Sequence, residues 1–303
     1  MAASIAPDID VMPGVLIGPA QGQNTSSSTC LWRVSHGHTV TEYLIPSPSV
    51  RSQLLMHSLT RHVMQVVRWD SEAANDNVPV ITSADYDPDF DAPLAWLPDD
   101  LCPRKHVVAE TVNLVAQIQS DPLRRMTERV LLRRDVADTY WTMPASVRHH
   151  HAFPGGLATH SLEVALDLHS QGTLEDHERD ICVAAGLLHD IGKCWAYTED
   201  MFPTTQARAV GHELLGLSRL HSELERLEVD WPDAGYAMRA LLSGISHRRQ
   251  DGSIPTALLA RVRAADQRSC ERDRERKNPI RTWTPRACSP PPVRISLDLD
   301  EPF

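Results

Sequence analysis

The stretch that decides the reading is Ala185-Gly186-Leu187-Leu188-His189-Asp190-Ile191-Gly192-Lys193. Residues 181–188 are apolar around the whole circumference of a helix, which marks that helix as buried. It runs directly into an imidazole and a carboxylate. Burying that pair at the end of an apolar helix is costly unless something compensates it, and a bound cation is the simplest partner for adjacent His and Asp. Gly192 reads as a tight turn that brings Lys193 back to the same place. Beside a metal, a lysine is a poor ligand but is well suited to hold an anion such as phosphate.

Further strings gather around this one. His160 stands in GGLATHSLEVA (155–165), His212 in VGHELLG (210–216), His247 in GISHRRQDG (244–252) and Asp266 in RVRAADQRS (261–269). The chain has 15 histidines, about twice the average supply. Most of them fall between His149 and His247. His169, His177 and His221 read as ordinary hydrogen-bonded histidines.

Working outward, the segment from about 104 to 277 is helical in pattern. Apolar spacing predicts helices over 106–119, 157–169, 179–190, 206–221, 234–247 and 255–270, and Asp121-Pro122 opens another. Residues 1–84 read instead as short strands, VLIGPAQ (15–21), CLWRVS (30–35), TVTEYLI (39–45), VMQVVRW (63–69) and VPVIT (78–82), with one helix at 49–59. The order β-β-β-α-β-β is that of the five-stranded OB barrel, which often binds single-stranded nucleic acid; a generic small β domain has the same signature. The acidic, Pro-rich stretch 85–103 reads as a linker, and the tail 278–303 as extended or disordered. The fold class expected is therefore α+β multidomain: a small N-terminal β-barrel followed by an all-α bundle.

Composition bounds the function. The formal charge is −10, concentrated in the N-terminal third and the linker, while 261–286 is locally basic. An all-over nucleic-acid glove is excluded, but a local basic strip is not. The ERDRERK run (271–277) alternates in sign, as solvated salt-bridged helix faces do. No run is long and apolar enough to span a membrane, and MAASIAPDIDVM lacks the pattern of a secretory signal. Six scattered cysteines without a CxxC pair read as reduced thiols of a cytoplasmic protein rather than a disulfide framework or a zinc ribbon.

The order His160, His189-Asp190, Asp266 resembles the HD superfamily of metal-dependent phosphohydrolases. His212 and His247 fall where its binuclear members place two further histidines. The string HHHAFPGGLATHSLEVA (149–165) is similar to one shared by the YhaM-type 3′→5′ exoribonucleases, which join an OB domain to an HD domain, and by the HD module of TraI-type conjugative relaxases. The resemblance implies two divalent metals between the helices, with Asp190 bridging. His160, His189 and Asp266 would hold one, and His212 and His247 the other. Nitrogen and oxygen ligands without thiolate favour manganese first, then iron, cobalt or magnesium. Such a centre supplies hydroxide near neutral pH for attack on phosphorus. Asp190, Lys193 and His151 are the catalytic candidates, with Lys193 and Arg248 offsetting phosphoryl charge. His150 and His151 would line the substrate path, although a triple His also reads as a polar loop, and Arg248-Arg249 also as a solvated face. In the barrel, Trp32, Tyr43 and Trp69 are the aromatic candidates for base stacking, with Trp32 and Trp69 foremost.

Three functions stay open at this point. The first is a 3′→5′ exonuclease that hydrolyses single-stranded RNA or DNA to nucleoside monophosphates. The second is an HD phosphohydrolase on small nucleotides. The third is a relaxase-like DNA-processing module of a mobile element. The expected partner is single-stranded nucleic acid, with no membrane, and homo-oligomerisation is compatible with all three.

Overall fold

The computed structural model describes residues 8–20, 30–37, 39–56, 61–68, 78–86, 94–198, 200–244 and 254–277. The strand-rich part comprises β1 (Asp8–Pro19), β2 (Leu31–His36), β3 (Thr39–Leu44), α1 (Pro48–Met56), β4 (Arg61–Arg68) and β5 (Val80–Tyr86), in the order expected. The strands close into a barrel of order β1-β2-β3-β5-β4, sealed by one parallel pairing, Leu44 to Val80. Alternation along the strands fills it: Trp32 and Val34 from β2, Tyr43 from β3, Met64 and Val66 from β4 and Ile81 from β5 point inward. β1 begins seven residues before the expected start. Its second half is buried on both faces, because Leu16 faces the barrel core while Val15 and Ile17 face the helices. That two-sided burial explains why VLI reads as a continuous apolar run rather than an alternating one.

Of the stretch expected as a linker, the described residues, 85, 86 and 94–103, are structured. β5 runs on to Tyr86, and Leu94, Leu97 and Cys102 are buried in the helical core. The Asp99 carboxylate accepts from the backbone N–H groups of His106 (3.1 Å) and Ala109 (3.2 Å), at the start of the next helix. Asp100 pairs with Arg33 of β2 at 2.6 Å and ties the barrel to the bundle. The acids there satisfy free amides and a cation, whereas the composition alone suggested solvation.

The helical part comprises α2 (Val107–Ala116), α3 (Asp121–Leu132), α4 (Arg134–Tyr140), α5 (Gly156–His169), α6 (Asp176–Leu188), α7 (Lys193–Ala196), α8 (Thr205–Arg219), α9 (His221–Asp230), α10 (Pro232–Leu242) and α11 (Ile254–Lys277). A capping box between Glu175 and Glu178 starts α6, after which residues 180–188 are buried without interruption. The all-round burial expected of this helix is found. Its packing partner is α5, close enough that a methyl on Gly186 would stand 2.9 Å from the Ala165 Cα. The alternating-sign end of α11 is only partly a solvated face. Arg268 (2.6 Å) and Arg272 (3.0 Å) clamp Asp167 of α5, and Arg276 (2.7 Å) pairs with Glu163. These pairs lay α11 along α5 and take three arginines out of any backbone-tracking strip.

Candidate metal centre

Four helical segments deliver the donors. His160 sits mid-α5 and is fully buried; His189 caps α6 and Asp190 follows it; His212 is on α8 and Asp266 on α11. His160 Nε2 lies 3.1 Å from Asp266 Oδ1 and 3.6 Å from Asp190 Oδ2. His189 Nε2 lies 3.5 Å from Asp190 Oδ2 and 3.3 Å from His160 Nε2. His212 Nε2 is 3.1 Å from Asp190 Oδ1. Asp266 faces the histidines although its helix is rich in arginine.

The hydrogen bonds behind the rings assign their protons. His189 Nδ1 is 2.8 Å from the Gly186 carbonyl, so Nδ1 carries the hydrogen. The Ser269 hydroxyl donates to Glu163 Oε2 at 2.8 Å, so it accepts from His160 Nδ1 at 3.1 Å. Glu163 is held ionised, to about 2, against the upward push of its burial by His151, Arg276 and Ser269. Burial also keeps the His160 ring neutral, its pKa lowered. Both Nε2 lone pairs therefore face one another with carboxylates alongside. Donor atoms of His160, His189 and Asp190 fall within 4.8 Å of one another. Two nitrogen lone pairs and two carboxylates at this range repel unless a cation stands among them, so the residues fit a divalent ion with nitrogen and oxygen preference.

Asp190 is the hub. Burial alone would raise its pKa, but Lys193, then His189, His212 and His160, hold it well below the usual range. Lys193 Nζ bonds Asp190 Oδ2 at 2.6 Å and the Ala145 carbonyl at 2.9 Å, and this pairing keeps the buried ammonium charged. Gly192 lies in the turn expected after Asp190, and Lys193 reaches back as expected, but its φ and ψ are helical and do not demand glycine; the missing Cβ instead admits α8, because a side chain there would collide with the His212 carbonyl oxygen. Gly211, at φ 79°, kinks α8 just before His212 and turns that residue towards Asp190.

Above the donors opens a cleft of about 300 Å³, walled by His150, Lys193, Glu213, Arg263 and Cys270. His150 lines this cleft, and burial, reinforced by His160 and Lys193 beside it, lowers its pKa to about 4. His151 is a correction. It is fully buried behind His160, its Nε2 3.2 Å from Glu163 Oε2 and its N–H bonded to Asp273 at 2.7 Å, and it does not line the cleft. The fully enclosed ring cannot touch a substrate; it braces Glu163. Trp32 is a second correction. At 3% exposure it is part of the barrel core, as is Tyr43, so no base stacks on either while the barrel is closed. His247, Arg248, Arg249 and Trp69 lie outside the described residues, as does the tail 278–303. His169, His177 and His221 stand apart from the centre. Glu163, Ser269, Asp273, Arg263 and Cys270 were not singled out in the sequence. Their local signal is helical spacing: Glu163 stands three residues beyond His160, and Arg263, Ser269 and Cys270 stand three or four residues from Asp266, each on the same helix face as its candidate.

Residues 157–277, the helices that carry these donors, match the HD domain family. Residues 157–277 of the helical half therefore form an HD domain, and a strand-rich domain precedes the helices. Among similar proteins, the 3′-5′ exoribonuclease YhaM of Listeria monocytogenes serotype 4b (strain CLIP80459) is 25% identical over 161 residues, which cover 52% of this chain and 50% of that protein. The same-named protein of Listeria innocua serovar 6a is 26% identical over 155 residues, 50% of this chain and 48% of its own length. That of Bacillus subtilis (strain 168) is 23% identical over 144 residues, 46% and 45% respectively. The chain spans about half the length of the curated relatives it matches. No solved structure gives a significant match. No helix among the described residues is long and apolar enough to cross a membrane. Cys30, Cys102, Cys182, Cys194 and Cys270 are free and buried.

Proposed function

We propose that the chain is a metal-dependent phosphodiesterase that removes nucleotides from the 3′ end of single-stranded RNA or DNA. The observation that carries this is the convergence of His189, Asp190 and Asp266 at the floor of an open cleft, with Lys193 beside them and the buried His160 against them. The exoribonuclease relatives match over about half of the chain, and the closed five-stranded barrel supports an OB-type reading of the strand-rich part.

In this reading His160, His189, Asp190 and Asp266 would hold one divalent ion, and His212 and His247, sharing Asp190, would hold a second, with manganese favoured. Bound divalent ions supply a nucleophilic water at neutral pH and neutralise charge on the phosphoryl oxygens. The chain's own residues do the rest. Ser269 and Gly186 fix the two imidazoles with Nε2 inward. Lys193, poised on Asp190, holds positive charge beside the phosphate. His150, neutral in the cleft wall, is placed to bond a phosphate oxygen or the leaving group.

One observation favours a second reading. No described barrel residue lines the cleft, so a mononucleotide fits it without help from the barrel. Incubation with Mn²⁺ and a 5′-labelled single-stranded oligonucleotide separates the two. A ladder shortening from the 3′ end, lost in Asp190→Ala and His189→Gln, supports the exonuclease. Release of phosphate from mononucleotides without any cleavage of oligonucleotides would move the assignment to a small-nucleotide phosphohydrolase.

A further inference from the structure

We infer that the rim of the centre is a second, overlapping metal set, His150, His160 and Cys270, which captures a thiophilic divalent ion such as Zn²⁺ or Cd²⁺ and withdraws His160 from the phosphate-cleaving set. One donor atom from each of the three lies within 4.8 Å of the others. The two sets share His160 and no other residue, so one ion at a time can use it.

Three observations support the set. The His150 ring packs 4.9 Å from the His160 ring, centroid to centroid. His150 Nδ1 is buried and has no hydrogen-bond partner among the described residues, which leaves a nitrogen lone pair or N–H without a partner beside the His160 ring. Cys270 stands one turn beyond Asp266 on α11, its sulfur 3.5 Å from Asp266 Oδ1, and it walls the same cleft, so an ion entering for the carboxylates passes the thiol.

The chemistry of the donors divides the ions. His160, His189 and Asp190 present nitrogen and carboxylate oxygen, which suit Mn²⁺, Fe²⁺ or Mg²⁺. A thiolate with two imidazoles suits Zn²⁺ and Cd²⁺ far better. Binding forms one sulfur–metal bond and breaks the S–H bond; the proton passes to solvent and no electron moves. Cadmium or zinc thus occupies the rim and holds His160 there, and hydrolysis stops while the carboxylates stay intact.

The inference shares a histidine with the proposed catalytic centre but needs no particular substrate, so its test does not depend on activity. The full chain is stripped with a chelator and titrated with Cd²⁺ while the ultraviolet thiolate-to-cadmium charge-transfer absorption is followed. The expected result is one band that saturates at one equivalent. It is lost in both Cys270→Ser and Cys270→Ala, weakened at least tenfold in affinity by His150→Ala, and kept in His189→Gln and in Cys288→Ser. Absence of the band in the unaltered chain overturns the inference, as does its survival in the two Cys270 variants. As a second arm, the Zn²⁺ concentration that halves Mn²⁺-supported phosphodiester hydrolysis should rise at least tenfold in Cys270→Ser; an unchanged value overturns the inhibitory role. If no hydrolysis is found at all, the cadmium band still decides the site, and the failure belongs to the proposed function alone.

Discussion

Gly192 and Gly216 touch through their backbones: a methyl on Gly216 would stand 2.9 Å from the Gly192 Cα. The contact sets how closely α8 approaches the turn after Asp190, and so where His212 stands. Gly216→Ala should push α8 outward and lengthen the His212–Asp190 contact from 3.1 Å. Overpacking of this kind costs about 1–3 kcal/mol of stability. Positioning losses of this size reach about 10²-fold in rate. The outcome to look for is a melting temperature lowered by a few degrees together with a much larger loss of hydrolysis. Equal small losses in both would mean that α8 placement is not limiting.

Asp190 and Lys193 form a buried pair with a separation of 2.6 Å. Removing the carboxylate leaves an ammonium enclosed without its counter-charge, and breaking such a pair costs about 3–5 kcal/mol. Asp190→Asn should therefore unfold at markedly lower denaturant, and Asp190→Asn with Lys193→Met should recover most of the loss while remaining inactive. Urea titration of the two variants and of Lys193→Met alone completes the double-mutant cycle. A double variant no more stable than Asp190→Asn would show that the histidines, rather than Lys193, hold the carboxylate.

How much of this was legible differs by residue. His189-Asp190 could be read because an all-apolar helix ending in two polar groups is a local contradiction that only a ligand or an ion pair resolves. The barrel order could be read from short β-branched and aromatic runs separated by turn residues, and in β2 Trp32 and Val34 alternate with Arg33 and Ser35. The same alternation puts Trp32 inside, although a tryptophan in an expected nucleic-acid domain suggests a stacking surface; period-two patterning outweighs residue type. His150 and His151 are adjacent in an irregular turn, where no period tells which ring faces the cleft, and a positive φ of 47° at His151 turns it inward. Glu163 and Ser269 meet across 106 residues, a pairing that no local pattern announces. The role of Gly192 was hidden for a related reason, because the element that needs its missing side chain begins a dozen residues later.

Ser269 holds the Nδ1 hydrogen of His160, and Glu163 holds Ser269. Partners of this kind typically contribute 10–100-fold to metal affinity. Ser269→Ala should raise the dissociation constant for Mn²⁺ by about that factor, measured by competition with a metal-sensitive dye, and Ser269→Thr should restore most of it. An unchanged affinity in Ser269→Ala would mean that His160 keeps its tautomer without the hydroxyl.

Glu163 should also make the fold acid-sensitive. Its carboxyl is held to about 2 against an ordinary 4.5, and burial, which opposes ionisation, is outweighed by His151, Arg276 and Ser269. A depressed carboxylate contributes stability that is complete above the unfolded value and is lost as pH falls through the folded one. The window is therefore from about pH 5 down to about pH 2. A 2.5-unit difference sets an upper limit near 3.4 kcal/mol, and partial solvent screening brings the expected contribution to roughly 2 kcal/mol. Chemical denaturation of Glu163→Gln should show lower stability than the unaltered chain at pH 7, with the two curves converging towards pH 2. Curves that stay parallel across that range would show that Glu163 stabilises by packing and neutral hydrogen bonds, and that the charge on Arg276 and the ring of His151 are not what hold it.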